Sequence, residues 1–553
     1  MKPKMFSVKK IGSILLPIFL FFGFTADWLV FESFHSRASA NSGEADSYLM
    51  DLQLQPFYGQ KLIWGDCKDD SAGYLCATAT VPLDYKKPDG KTLDIALKKL
   101  PAADDVAERG SLFVDPGGPG DSGVAAVEAM SLALSDDVRA SYDIIGFDPR
   151  GVGQSASLVC WSPQDLSQAV AAKKEVVGSD SSRTSNSMIL NTENPGWGLA
   201  AVRQGTMDSA KCARYSETPE LSDYMGTRSV ARDLDILRNL VGDTELNYWG
   251  TSYGTFIGSI YAVLFPRRVG NMVLDSAMSL TKSWTEGDRE LTIFREERLR
   301  AYIESCLAQN GCPLTGSVDE AFSQLHDFLL SLDEAPLSVE GSSLSVGTKD
   351  AAYFVSSFAL GSPDNWQILT EMLSQGMIEH EGTLIAERIT LAGETGHQGS
   401  VVTEKQVFMN SNYDYANSAI ICNDSERGER DIAALEAEAA AEKKSYPFYG
   451  GSSAYLDAYC QGWGNLRPPL DDLPDKVGDE ELRPIIVTGT TGDTSTLYSW
   501  SEELSSQLEG SRLITVAGYG HGVVGANACA TSMVDQYLAE DIIPPVKSTC
   551  GSE

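Results

Sequence analysis

Histidine is scarce in this chain: five occur in 553 residues, and none sits in an H-E-x-x-H pattern. The ten cysteines include no C-x-x-C pair. Hydrolytic zinc chemistry and the common structural zinc sites therefore lack a ligand set, and neither a metal nor another cofactor is expected. Positive charge is also short, with 43 Lys plus Arg against 77 Asp plus Glu and a formal net charge of -34. A nucleic-acid partner, or docking on an anionic membrane, needs a basic face that this balance argues against. The acidity itself reads as solubility in an outside environment. Beyond the first forty residues no run is long and apolar enough to span a bilayer, and no internal repeat appears.

Those first forty residues read as a signal peptide, 1–40. Lys2, Lys4, Lys9 and Lys10 form a basic start, Ile11 to Phe24 an apolar middle, and Ala38-Ser39-Ala40 a small-residue cleavage site. The mature chain is then secreted. Trp28-Leu29-Val30-Phe31 prolongs the apolar stretch across Asp27, so an uncleaved anchor at the cell envelope is the alternative. An even cysteine count in an exported chain favours disulfides over redox thiols; the ten are Cys67, Cys76, Cys160, Cys212, Cys306, Cys312, Cys422, Cys460, Cys529 and Cys550. The length allows two or more domains, or one enlarged domain.

The chain is organised around Gly250-Thr251-Ser252-Tyr253-Gly254. An apolar run, Leu246 to Trp249, precedes it, and Thr255 to Ala262 reads as a helix behind it. A G-x-S-x-G pentapeptide between strand and helix is a nucleophile elbow, whose glycines permit a sharp turn that lifts the serine hydroxyl clear. Ser252 is the candidate nucleophile.

Upstream, Cys76 to Leu83 and Leu93 to Leu97 read as strands joined by a turn at Lys87 to Gly90. Ser111 to Val114 reads as a buried strand running into Asp115-Pro116-Gly117-Gly118-Pro119-Gly120-Asp121-Ser122-Gly123. A loop at that place carries the second oxyanion donor of such an elbow. Pro119 has no N–H, so Gly118 is the candidate, with the Tyr253 amide as the other donor. Tyr142 to Asp148 is a further strand, Ser179 to Asn194 a polar surface loop, Ser229 to Leu240 an amphipathic helix, and Val269 to Leu274 a strand ending at Asp275. Strands alternating with helices imply a mostly parallel, doubly wound sheet covered on both faces.

That rhythm stops from 279 to 483. Ser317-Val318-Asp319-Glu320 is a capping box before Phe322, Leu325 and Leu329, and Asp431 to Lys444 is rich in helix formers. This stretch is expected to be a mainly helical cap inserted over Ser252, between core segments 41–278 and 484–553. The core resumes with Pro484 to Gly489, a helix near Leu497 to Leu508, and Leu513 to Val516 as the last strand.

An α/β-hydrolase fold carries its Ser, acid and His in that chain order. His521, in Gly518-Tyr519-Gly520-His521-Gly522 at a strand exit, is the candidate base; His35 falls in the signal segment, His326 and His380 in cap helices, and His397 in a cap loop. Asp493, in the exit loop of the preceding strand, is the candidate acid. Asp275 is its rival and reads as a structural carboxylate where the cap departs.

The stretches CATATVPLDY, LFVDPGGPGDSG, YDIIGFDPRGVGQS, the DLDILR helix, YWGTSYGTFIGSIYAVLFPRRVGNMVLDS, IVTGTTGD and GYGHG resemble the secreted actinobacterial tripeptidyl aminopeptidases, relatives of proline iminopeptidase among the α/β-hydrolases. The resemblance covers nearly the whole core from Cys67 to Cys550 and implies Ser252, Asp493 and His521 as nucleophile, acid and base. It implies pairing of Cys529 with Cys550 and of Cys67 with Cys76; pairing Cys160 with Cys212, Cys306 with Cys312 and Cys422 with Cys460 extends it. Two departures stand out. Asp115 replaces the common Asn, and Asp121 a common Gly, so charge is expected near the oxyanion site; Thr494 and Ser495 follow Asp493 where Pro is common. The implied activity is an exopeptidase acting on free peptide N-termini, which requires an anion to hold the substrate ammonium, and Asp424 beside Cys422 is the candidate. A carboxylesterase or lipase with the same triad, a proline iminopeptidase releasing single residues, and a non-catalytic binding module are the alternatives.

Overall fold

The computed structural model describes residues 53–67, 73–103, 107–173, 195–342, 345–388, 404–425, 430–464 and 473–551. The signal peptide expected at 1–40, the loop at Ser179 to Asn194, and His35 and His397 lie outside the described residues. The fold is that of the unit Phe57–Glu553.

Its framework is one ten-stranded sheet. The strands are β1 (Gly65–Asp66), β2 (Leu75–Pro82), β3 (Thr92–Leu100), β4 (Ser111–Asp115), β5 (Asp143–Phe147), β6 (Leu246–Thr251), β7 (Val269–Asp275), β8 (Ile486–Gly492), β9 (Arg512–Tyr519) and β10 (Lys547–Cys550). Their spatial order is β1-β2-β3-β5-β4-β6-β7-β8-β9-β10. The pairs β1/β2, β2/β3 and β3/β5 are antiparallel, and every pair from β5 to β10 is parallel. Burial explains the two textures. Every residue of β4 and β7 is buried, as in strands covered on both faces, whereas β3 begins by alternating exposed and buried positions like a strand with one wet face.

β10 is a correction: the last strand is Lys547–Cys550, not Leu513 to Val516. Its four mostly polar residues carry no apolar pattern. What holds them at the sheet edge is pairing with β9, Leu513 opposite Lys547 through Val516 opposite Cys550, together with a disulfide from Cys550 to Cys529. The other disulfides join Cys67 to Cys76, Cys160 to Cys212, Cys306 to Cys312 and Cys422 to Cys460.

The helices that bear on the site and its surroundings, in chain order, are α1 (Gly123–Leu132), α2 (Trp197–Tyr215), α3 (Thr227–Val241), α4 (Tyr253–Leu264), α5 (Trp284–Leu307), α6 (Val318–Ser331), α7 (Thr348–Leu360), α8 (Trp366–Ser374), α9 (Glu404–Asp424), α10 (Ile432–Ser445), α11 (Ser452–Trp463), α12 (Tyr498–Gln507) and α13 (Ala528–Glu540); others, such as Asp136–Ser141 and Pro163–Lys173, are shorter or more remote. α3 buries Val230, Leu234 and Leu237 and ends on Gly242 at φ 97°, a left-handed stop that glycine adopts without strain. Between β7 and β8 the described chain adds no strand to the large sheet. α5 and α6 each start with a reciprocal capping box, Ser283 with Glu286 and Ser317 with Glu320. Helices α5 to α8 close an apolar core around Leu299, Phe322, Leu325, Phe354 and Leu369. His380 ends a π-helical turn, Gln375–Glu379, in a left-handed conformation.

Helix α2 lies within the expected core segment 41–278, and it packs with α10 and α11 through Trp197, Ala201, Leu435, Ala439, Ala454 and Ala458. Glycines permit that approach: a Cβ on Gly205 would collide with the Tyr459 carbonyl, and one on Gly462 with the Val202 carbonyl.

Candidate active site

Ser252 stands between β6 and α4 with φ 57° and ψ -123°, a conformation that costs a non-glycine residue about 1–3 kcal/mol. Its N–H donates to the Asp275 carbonyl at 2.9 Å, and the Thr255 N–H to its own carbonyl at 2.9 Å. The flanking glycines serve space rather than dihedral freedom. Neither has a positive φ; a Cβ on Gly250 would collide with the Gly254 carbonyl, and one on Gly254 would fall 2.7 Å from the Asp115 carbonyl. The Ser252 hydroxyl carries no hydrogen bond among the described residues. Contacts between nucleophile and base commonly tighten only around a bound substrate.

His521 lies past the end of β9, and its Nδ1 donates to Asp493 Oδ2 at 2.8 Å. Asp493, just past β8, is 1 % exposed. Its Oδ1 accepts the N–H groups of Ser495 at 2.8 Å and Thr496 at 3.0 Å, so the loop end is tied around the carboxylate. The Thr496 hydroxyl, with one proton to give, lies 2.9 Å from the Ser276 carbonyl, 3.1 Å from Asp493 Oδ2 and 3.4 Å from His521 Nδ1. Burial pushes the imidazole pKa down, but the hydrogen bond and charge of Asp493, with the charge of Asp275, leave it above the ordinary value. An imidazole so held keeps Nε2 free to take a proton and is stabilised once charged.

Asp275 joins the two halves of this arrangement. Its carbonyl receives the Ser252 N–H, while its carboxylate accepts the Thr488 hydroxyl at 2.6 Å and the N–H groups of Val523 at 2.9 Å and Val524 at 3.2 Å, directly beyond His521. Ser276 Oγ accepts the Gly522 N–H at 2.9 Å. Position 522 also abuts the elbow, since a Cβ there would meet Thr251 Cγ2 at 3.9 Å. Thr496 and Ser276 escape sequence reasoning, because hydroxyls near strand exits are too common to single out; their roles exist only once three loops meet.

The loop after β4 lies against the elbow. A Cβ on Gly117, at φ 101°, would fall 2.5 Å from the Thr251 carbonyl and 2.9 Å from the Tyr253 nitrogen. Gly117 N–H donates to Asp115 Oδ1 at 2.9 Å, Asp121 N–H to the Gly117 carbonyl at 3.3 Å, and Pro119 has none to give. Gly118 borders the same cavity as Ser252. Tyr253 is the first residue of α4, so its N–H has no carbonyl four residues back in the helix. The charge expected from Asp115 is disfavoured: burial above all, with the charges of Asp121 and Asp148 against the Gly117 hydrogen bond, pushes its pKa up to about 8. Its Oδ2 is buried without a partner.

A cavity of about 550 Å³ opens on Ser252, Gly118 and Pro119 and is closed by residues of α5, α9, α11 and α12. α9 rests directly on the loop, with Asn417 Nδ2 donating to the Pro119 carbonyl at 2.9 Å. Asp424 lines this cavity, but its carboxylate already accepts the Thr227 N–H at 2.9 Å and the Thr227 hydroxyl. Tyr253 OH lies 2.6 Å from that hydroxyl, so Asp424, the start of α3 and the elbow form one chain of hydrogen bonds. A second carboxylate, Asp288 on α5, faces the cavity; it takes the Ser452 hydroxyl on Oδ2, and burial raises its pKa. The spacing of Asp288, Leu291, Thr292 and Arg295, all on the cavity wall, is that of one helix face and was available in the sequence. Among the described residues no cluster of three or more His, Cys, Asp or Glu is arranged to hold a metal ion.

Residues 111–377 match the family model for the alpha/beta hydrolase fold, and residues 446–550 that for TAP-like protein. Serine protease Hip1 of Mycobacterium tuberculosis is 31% identical over 523 residues, 90% of this chain and 92% of the relative. Tripeptidyl aminopeptidase of Streptomyces coelicolor is 29% identical over 493 residues, covering 86% and 83%. Carboxylesterase B of Mycobacterium tuberculosis is 28% identical over 519 residues, covering 90% and 91%. The chain belongs to the tripeptidyl aminopeptidase-like family of α/β-hydrolases and is a serine hydrolase.

Proposed function

We propose that the chain is an exported serine exopeptidase that releases short peptides, tripeptides foremost, from free N-termini through an acyl-enzyme. The observation that carries this reading is the His521–Asp493 pair at 2.8 Å, held by the Asp275 loop to the elbow that bears Ser252. In this reading Ser252 attacks the scissile carbonyl, His521 takes its proton and passes it to the leaving amine, and Asp493 fixes the imidazole tautomer. The amides of Gly118 and Tyr253 would receive the oxyanion, and losing either would cost about 3–4 kcal/mol of transition-state stabilisation. The helical segment 279–483 acts as the cap that limits access and choice. A substrate ammonium would sit at the carboxylates of Asp424 and Asp288. Five disulfides and the basic-apolar start of the chain support export.

Mass spectrometry of a free-amine peptide mixture, with Ser252→Ala as control, tests the proposal. Tripeptides that vanish in the variant support it, and single residues would turn the reading to a proline iminopeptidase-like enzyme. Equal cleavage of an N-acetylated peptide would overturn exopeptidase action. A carboxylesterase is the second reading, favoured by the relative of that name and by Phe256, Trp284 and Leu291 in the cavity wall; turnover of acyl esters without any peptide turnover would select it.

A further inference from the structure

Two basic side chains line the cavity that opens on Ser252, and they differ in what neutralises them. Lys282 is paired with Glu290 at 3.0 Å and Glu503 at 3.5 Å. Arg295 has no carboxylate within ion-pair distance among the described residues. One of its donors is used: Nε gives a hydrogen bond to the Thr494 carbonyl at 3.0 Å. That bond ties the guanidinium to the loop of Asp493, and neither Nη group has a hydrogen bond among the described residues, while the residue lines the cavity. Asp288, two turns earlier on the same face of α5, feels the Arg295 charge but forms no ion pair with it. In a chain of net charge -34, a guanidinium without an ion-pair partner on the wall of the cavity that holds the nucleophile is a local reversal of the field.

We propose that Arg295 forms a carboxylate-binding subsite on the leaving-group side of Ser252. This rests on the peptidase reading. The side follows from connectivity: Thr494 directly follows Asp493, Asp493 holds His521, and the base hands its proton to the departing amine, so that peptide lies toward the acid and base loops. The ligand is a carboxylate on the departing peptide. Its source is either an acidic side chain next to the cut or the terminal carboxylate of a short substrate. The paired Nη groups match a carboxylate with two parallel hydrogen bonds, which a lysine ammonium cannot reproduce.

The test compares kcat/KM within matched peptide pairs on the full-length enzyme. One pair has Glu or Gln at the first departing residue; the other has a free or an amidated C-terminus on a short peptide. Wild type should favour the carboxylate member of at least one pair by about tenfold, as expected for a charge-assisted bond. The pair that shows the preference names the source. Arg295→Gln should bring that ratio to about one, and Arg295→Lys should keep part of it. A wild-type ratio of one in both pairs overturns the subsite, as does a ratio unchanged in Arg295→Gln while both rates fall together, which would leave Arg295 as a support for Thr494 alone. Failure of the peptidase reading looks different: no peptide is cut at all. An ester pair whose leaving alcohol carries or lacks a carboxylate then decides the role of Arg295 by the same ratio.

Discussion

Asp115→Asn tests whether the loop beside the elbow stores a proton. Folded Asp115 is 1 % exposed with its pKa pushed up to about 8, against an ordinary 3.8. At pH 7 the folded chain therefore keeps a proton that the unfolded chain has released. Each pH unit between the two values is worth about 1.36 kcal/mol, so the 3.2 units from 3.8 to 7 amount to about 4 kcal/mol of lost stability. The sign is that of a raised acid: the contribution of Asp115 is fully present below the ordinary value, fades as pH rises toward 8, and is flat beyond. Asparagine has the shape of the protonated acid, keeps an acceptor for the Gly117 N–H, and has no proton to lose. The variant should match wild type near pH 4, exceed it by about 4 kcal/mol at pH 7, and reach a constant advantage above pH 8. Denaturant midpoints from pH 4 to pH 9 measure this directly. An offset that does not change with pH, or a variant less stable at pH 8, would refute a buried neutral acid.

Asp493→Asn should lower kcat on the order of 10⁴-fold with the fold intact; because Asp493 is what raises His521, the acid limb of kcat/KM should also move to lower pH, and an unmoved limb would remove Asp493 from the site. Gly117→Ala should push the loop off the Tyr253 amide and reduce kcat by about 10²–10³-fold, the scale of one lost oxyanion donor; wild-type kcat in that variant would show that the loop does not bear on the reacting carbonyl. Arg150→Ala should destabilise the fold by about 3–5 kcal/mol in denaturant titrations, because it strands the buried Asp233, and a loss below about 1 kcal/mol would refute that.

Arg150 also marks a boundary of what sequence reading reaches. The strand Tyr142 to Asp148, which ends just before Arg150, was legible. That all five donors of Arg150 are spent, on Asp233, Leu83, Tyr224 and Pro82, was not, because those partners lie up to 83 positions away. The capping box at Ser317 was readable since it is a contact over three residues. Its twin at Ser283 obeys the same rule and was passed over. Lys547–Cys550 could not be recognised by any local rule, because an edge strand of polar residues is defined by its neighbour and a disulfide.

The sequence by itself determined the class of the fold and the positions at which chemistry had to be sought. Alternating strand and helix patterns force a parallel sheet, and the exits of its strands are where G-x-S-x-G, Asp493 and His521 stand. These are local signals, written in spacing and in residue types that cannot be exchanged. Tertiary structure alone decided what surrounds those positions: that Asp275 ties the serine loop to the histidine loop, that burial raises the pKa of Asp115, that Asp424 is already engaged by Thr227, and that Arg295 lines the cavity without an ion-pair partner among the described residues. The physical reason is common to all four. Ionisation, hydrogen-bond satisfaction and charge pairing depend on burial and on partners brought from distant segments, and neither exists until the chain has closed.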